Sequence, residues 1–407
     1  MSVDELAGLP LGARLKAIRE RKHKSRSVVA GLVGKSESWL KKVESGELLE
    51  PRTAMLVRLA EALELHDLAE LTGDKGLTIS VGGRTGHHAV PAMRHAIEAP
   101  ILVVGSDPLP DASVLTARVV DAWALWHSSP TPRAAVGAVL PRIITDGRRA
   151  TRMLEGLERR QAYAALSSAY ALSEQLLAWV ADSALLWLAA DRCMNSAEQA
   201  DDPLALASAA WVVGNVWRST GREDEALTLA HESADLLSAQ LEESEEARAL
   251  WGAVRLHGAI TAARMGREGD ALNLMDQAAS MVRRLPGSYA HPSTLFGAAN
   301  AALTGVSVHV ELRKGGRAVE TAEDADPDSV PSLDRRARVW LEVARGYRQR
   351  KDTTAALHVL HRAVTTSRES MSCHPLARTL AVDLATNGGK IVQREARALA
   401  GALGVDL

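Results

Sequence analysis

Apolar residues in the first seventy positions recur at helical spacing, and polar or glycine punctuation divides them into short segments. Leu11, Leu15 and Ile18 fall at i, i+4 and i+7, which predicts one helix over Leu11–Arg21 with Arg14, Lys16, Arg19 and Arg21 on its other sides. Ser25 is placed to cap a second helix whose apolar face is Val28, Val29, Leu32 and Val33. Gly34 can take the positive φ that ends a helix sharply. Ser36 then caps a third helix, with Trp39, Leu40 and Val43 inward and Glu37, Ser38, Lys41 and Lys42 outward. Pro51 suits the first turn of a fourth, from which Leu56, Leu59, Ala60 and Leu63 close a small core.

Residues 73–112 break this rhythm. Glycine and turn formers in 73–86 read as a linker with one short extended piece at 77–81, and 91–97 suits a short helix. The stretch PILVVGSD at 100–107 resembles a buried strand ending in a phosphate-binding turn, but no glycine fingerprint or further strand follows it. From Val114 onward helical patterns return and persist to the end. Leu115, Val119, Ala122, Trp123 and Trp126 share one face, residues 176–188 suggest another apolar helix, and Pro130, Pro132 and Pro141 separate the early segments.

Within this body a pattern repeats. GREDEALTLA at Gly221, GREGDALNLM at Gly266, KGGRAVETA at Lys314 and KDTTAALHVL at Lys351 place Ala226, Ala271, Ala318 and Ala356 at equivalent points. Each follows a polar turn and an apolar helix, so the unit reads as helix A, turn, helix B, with a small alanine where the two touch.

Composition sharpens the division. The chain has a formal net charge of −2, yet 11–52 holds eleven Lys/Arg against five Asp/Glu, so a basic head is joined to an acidic body. Such a head suits a polyanion partner. Abundant alanine and leucine with few aromatics favour helix on helix. The two cysteines, Cys193 and Cys373, match no metal or redox spacing, which fits a reducing cytoplasm. No leader and no apolar run of about eighteen residues is seen, so a soluble intracellular protein with no membrane partner is expected. His87 and His88 are adjacent, and His358 and His361 are spaced i, i+3, with no further metal ligand in view. No nucleophile elbow, Walker loop or zinc-protease motif occurs; neither an enzyme nor a cofactor is expected. A nucleotide-using enzyme built on 100–107 is the remaining reading of another class.

GKSESWLKKVESGE at 34–47 resembles the turn and recognition helix of the lambda-repressor-like (Cro/cI, XRE) DNA-binding family, with Glu44 and Gly46 in the family's places. LKAIRERKHKS before it and LVRLAEALEL after it match the outer helices. The resemblance implies a five-helix helix-turn-helix domain over 1–72 and DNA contacts from Arg26, Lys35, Ser36, Glu37, Ser38, Lys41 and Lys42. Arg14 and Arg19 are weaker phosphate candidates. Two positions depart from the pattern: Arg26 stands where the family has glutamine, and Lys35 where it has an apolar residue.

The repeats resemble tetratricopeptide repeats, with longer spacing than that family's usual length of about 34. The resemblance implies a right of way for ligands along the concave face of an α-solenoid over 113–407, where Asn215, Arg218, Arg255, His257, Arg264 and Arg345 are the candidate ligand-binding residues. Trp211, Trp217 and Trp251 read as core. The expected fold is all-α. Head and body together are similar to peptide-pheromone-responsive regulators of Gram-positive bacteria, implying a homodimer that binds a DNA operator and an oligopeptide or small-molecule signal. The alternative keeps DNA binding but makes the body a docking scaffold for another regulatory protein.

Overall fold

The computed structural model describes residues 9–22, 24–48, 51, 53–63, 65, 71, 86–101 and 111–405, and every regular element among them is helical. The chain forms two compact units, Met1–Arg84 and Thr85–Leu407.

The head contains α1 (Leu11–Arg21), α2 (Arg26–Leu32), α3 (Glu37–Ser45) and α4 (Thr53–Ala62). The expected fifth helix falls outside the described residues except Leu71, which is helical and fully buried. Ser25 and Ser36 cap α2 and α3 by accepting from the Val28 and Trp39 amides, each at 3.2 Å. Gly34 and Gly46 take φ of +68° and +77°, the left-handed turns that stop the two helices. Gly12 is needed for a different reason: a Cβ there would meet the Val43 carbonyl oxygen at 2.3 Å, so α1 can lie this close to α3 only without a side chain.

Leu15, Ile18, Val29, Leu40, Leu59 and Leu63 fill the core. Val28 and Leu32 do not join it; they are 51% and 61% exposed. A helix of seven residues has one inward stripe, and Val29, Ala30 and Val33 occupy that stripe.

The body begins with α5 (Val90–Glu98), so the short helix expected within a linker is packed against body helices. It continues as antiparallel pairs: α6 (Ala112–Ser128) with α7 (Pro132–Met153), α8 (Gly156–Leu177) with α9 (Ser183–Ala200), and α10 (Pro203–Ser219) with α11 (Glu223–Leu237). Then come α12 (Glu245–Met265) with α13 (Glu268–Val282), α14 (Ala298–Glu311) with α15 (Gly315–Ala325), and α16 (Leu333–Gln349) with α17 (Thr353–Thr366). The chain ends in α18 (Arg368–Cys373), α19 (Pro375–Asn387) and α20 (Lys390–Ala402). The strand-like stretch and the extended piece expected before α6 lie outside the described residues, apart from Pro100 and Ile101.

The repeat read from sequence is a geometric repeat. Ala226, Ala271, Ala318 and Ala356 are each the fourth residue of a B helix and each fully buried, where a larger side chain would push the A helix away. Five residues before each alanine the chain turns through positive φ, at Gly221, Gly266, Arg313 and Lys351. The next amide in each case donates back across the turn to the end of helix A: Arg222 to Trp217, Arg267 to Ala262, Lys314 to His309 and Asp352 to Tyr347. Two of the four turns therefore hold a side chain in a conformation that favours glycine.

The first helix of each pair contacts the first helix of the next, making an inner layer of α6, α8, α10, α12, α14 and α16. That layer closes on itself, because α16 also packs against α6. His127 of α6 joins the seam: Nε2 donates to the Pro292 carbonyl at 2.9 Å and Nδ1 accepts from the Ser332 hydroxyl at 3.1 Å. Burial and the nearby Arg335 lower its pKa to about 4, so the neutral ring needed for this pattern is the form present. Beside it, Glu369 of α18 accepts from the Arg133 and Ala134 amides at 2.7 and 3.1 Å, capping α7 from more than two hundred residues away. His87 bonds the same carboxylate at 3.3 Å. The body is an α-solenoid closed into a ring.

Candidate nucleic-acid interface and interior polar cluster

In the head, α3 presents one polar stripe. Glu37, Ser38, Lys41 and Lys42 are all exposed, while Leu40, Val43 and Glu44 point inward. Ser36, at the cap, and Lys35, in the turn, are exposed as well; the Lys35 side chain does not lie against the core. The helix is held from beneath by Glu44, whose side chain is 2% exposed. Arg19 Nε donates to one of its oxygens at 2.6 Å, and Arg26 Nε donates to the other at 2.6 Å. The hydrogen bond to Glu44 raises the Arg19 pKa against the opposing effect of burial. Arg26 is one-third exposed and is anchored at Nε, so its free edge is fixed in direction at the start of α2.

Arg14 and Arg19 are not surface cations. They are 3% and 6% exposed; Arg14 donates to the Leu9 and Leu71 carbonyls, and Arg19 to Glu44 and the Lys24 carbonyl. Both hold the head together, which removes them as phosphate contacts. A helical wheel gives no means of separating such buried arginines from exposed ones.

In the body, five of the six predicted ligand-face residues point into the inner layer. Asn215 Oδ1 accepts from Arg218 Nη2 at 2.8 Å and lies 3.1 Å from His257 Nε2. Gly214 makes room for that imidazole, since a Cβ there would come within 2.8 Å of it. Burial, then the charges of Arg218 and Arg264, hold His257 well below its ordinary pKa, and it is neutral. Arg345 pairs with Glu342 at 2.6 Å and Glu311 at 3.1 Å, and Arg264 approaches Glu311 at 4.0 Å. Arg255 belongs elsewhere. It stacks over Trp251 and bonds His231 of the outer helix α11, because two residues from His257 is the opposite side of α12.

The residues that complete the cluster are ones the sequence reading missed. Arg335, Arg338, Glu342 and Arg345 lie at i, i+3, i+7 and i+10, so α16 lays four charges along one inner face. The run RRARVWLEVAR carried that spacing, but nothing in it marked the face as interior. Arg338 is the hub, electrostatically coupled to Glu174, Arg218, Asp334, Arg335, Glu342 and His374. Its guanidinium lies 5.1 Å from the Trp179 ring centre, and that of Arg335 lies 5.7 Å from Trp211. Among the described residues neither guanidinium has a hydrogen-bond acceptor or a carboxylate within ion-pair distance.

Glu174 of α8 faces this group. It is 4% exposed and accepts from Gln175 Nε2 at 2.6 Å. Burial raises its pKa to about 7 although Arg338, Arg218 and Arg335 pull the other way. Burial, with repulsion from Arg264 and Arg338, lowers Arg218 to about 9; burial, with Arg338, lowers Arg335 to about 10. The interior thus carries more positive charge than its carboxylates neutralise.

Residues 10–72 match the helix-turn-helix domain family, so the head is a helix-turn-helix domain. A solved structure described as the crystal structure of BtubC (BKLC) from P. vanneervenii is similar at 15% identity and a TM-score of 0.36, over 58% of this chain and 93% of that one. No curated protein matches the chain. Among the described residues, no helix is long and apolar enough to cross a membrane.

Proposed function

We propose that this protein is a sequence-specific DNA-binding transcription regulator whose tetratricopeptide-like ring binds a signal that alters operator binding. The observation that carries the DNA-binding part is the α3 stripe, with polar Glu37 and Ser38 and basic Lys41 and Lys42 outward on a helix anchored through Glu44. A major groove presents acceptors that lysine reads at guanine and a donor that glutamate reads at cytosine. Lys35, Ser36 and the free edge of Arg26 flank that stripe as phosphate contacts. The body supports the sensing part, because an interior lined by Asn215, Arg218, His257, Arg264 and Arg345 is a costly arrangement without a ligand to use it.

The reading includes a homodimer acting in the cytoplasm, since two recognition helices must meet half-sites one or more helical turns apart. The signal is an oligopeptide or small molecule, as in peptide-pheromone-responsive regulators, and acts by its differential affinity for the two geometries. The test is footprinting and salt-dependent gel shift on genomic fragments. Lys41→Glu with Lys42→Glu should weaken operator binding about a hundredfold or more, and lower the salt slope by about 2, without changing the circular dichroism. Equal binding to all sequences by the native protein would sink the reading.

A further inference from the structure

We propose that the closed ring of inner helices is a chamber for a small ligand recognised by an oxyanion group, a carboxylate or phosphate, gripped by Arg218, Arg335 and Arg338. The proposal rests on the sensing role inferred above and names the chemistry of the signal.

Size comes first. Six helices packed about 9 Å apart around a ring place their axes about 9 Å from its centre. A helix with its side chains is about 10 Å across, so an ideal ring of this radius would leave an opening of roughly 8 Å. An opening of that size would admit a small molecule or one extended chain end and not a folded helix. Arg218, Arg335 and Arg338 retain intermediate exposure although they face the interior, so water reaches them.

Charge comes next. Among the described residues the interior set includes the arginines Arg133, Arg218, Arg264, Arg335, Arg338 and Arg345 and the carboxylates Glu174, Asp334, Glu311 and Glu342, with Glu369 on the Arg133 amide at its edge. Arg345 and Arg264 are matched by Glu311 and Glu342. Asp334, 2% exposed, has the charges of Arg338, Arg133 and Arg335 around it. Arg133 is 1% exposed, and among the described residues its Nε and Nη1 have no acceptor. Among the described residues Arg218 bonds neutral groups, the Asn215 side chain and the His257 carbonyl. Partly buried cations crowded together in excess destabilise an empty chamber, and an oxyanion relieves them.

Geometry selects the group. Arg335 and Arg338 lie one turn apart on α16, with their guanidinium carbons 5.7 and 5.1 Å from the Trp211 and Trp179 ring centres. A cation held by the charge of a ring in this way still has its N–H edge, the part of a guanidinium that grips a carboxylate or phosphate through two parallel bonds. The arrangement has the donors in place and lacks the acceptor.

The experiment uses the full-length protein and its Arg335→Met and Arg338→Met variants, which keep the apolar stem beside the tryptophan. Thermal shift and calorimetry are run with inorganic pyrophosphate, with citrate, and with tetra-alanine bearing a free or an amidated C-terminus, all against potassium chloride at equal ionic strength. At least one oxyanion should raise the melting temperature of the native protein well beyond the chloride control. Each variant should bind that probe at least tenfold more weakly. Without any probe, Arg338→Met should melt higher than the native protein, because a mutually repelling cation has been removed. Preference for pyrophosphate, citrate or the free peptide terminus identifies the source of the group. The proposal is overturned if no probe exceeds the chloride control, if the variants respond like the native protein, or if Arg338→Met lowers the melting temperature. Oxyanion binding with no effect on DNA affinity would support the chamber and count against the regulatory reading alone.

Discussion

Arginine has opposite uses in the two units. In the head, Arg14 ends on backbone carbonyls, and Arg19 and Arg26 share the two oxygens of Glu44. In the body, Arg335 and Arg338 end near tryptophan rings and, among the described residues, meet no acceptor. The residue type is the same in both places, although Arg335 and Arg338 keep an intermediate exposure where Arg14 and Arg19 are buried. What differs is whether the protein supplies the acceptor. A guanidinium whose acceptor is built in fixes one helix against another; one whose acceptor is absent is poised for something else.

The contrast can be broken most forcefully at Glu44. Glu44→Gln leaves the Arg19 charge buried without its counterion and should cost the head about 3 kcal/mol. Hydrogen exchange of α1 and α3 amides in the full chain would show it, and unchanged protection would mean the pair does not hold these helices. In the body the comparable acidic substitution should act with the opposite sign. Glu174 has its folded pKa raised to about 7 by burial, while Gln175, Arg218, Arg335, Arg338 and Cys193 surround it. The folded state therefore binds the extra proton, and native stability should fall as pH rises from about 4.5 to about 7, then level off. Glu174→Gln removes that slope and should stabilise the body above pH 7 by up to about 3 kcal/mol. Denaturant midpoints between pH 5 and 8 decide the matter; parallel curves for the two proteins would refute it. The smallest effect belongs to Arg26. It is one-third exposed and shares Glu44 with Arg19, so Arg26→Met should cost the head about 1 kcal/mol or less, after allowance for solvent screening. A stabilising effect there, matching that expected for Arg338→Met, would erase the distinction between the units.

Local signals carried a good part of the fold. Ser25, Ser36, Gly34 and Gly46 mark helix ends whose reasons lie within a few residues, and each acts as its chemistry suggests. The four alanines were visible because a small residue at a helix crossing recurs with the repeat. Contacts between distant segments were not legible. Nothing in the sequence around Glu369 says that it caps α7, and nothing around His127 says that Ser332 is its partner. Without that closure α16 reads simply as a charged helix, and nothing local marks Arg335, Arg338 or Glu174 as facing an interior. The same blindness placed Arg14 and Arg19 on the surface and Val28 and Leu32 in the core.

The seam at His127 and Glu369 has a consequence for how the body comes apart. An open array of repeats frays from its ends, and its stability is close to a sum of neighbour terms along a line. Joining the first pair to the last replaces the line with a loop, so unzipping from the first repeat must also break a contact with the last. Partial melting therefore loses its cheapest starting point, and the ring should unfold in one cooperative step where a linear stack of the same length would soften gradually.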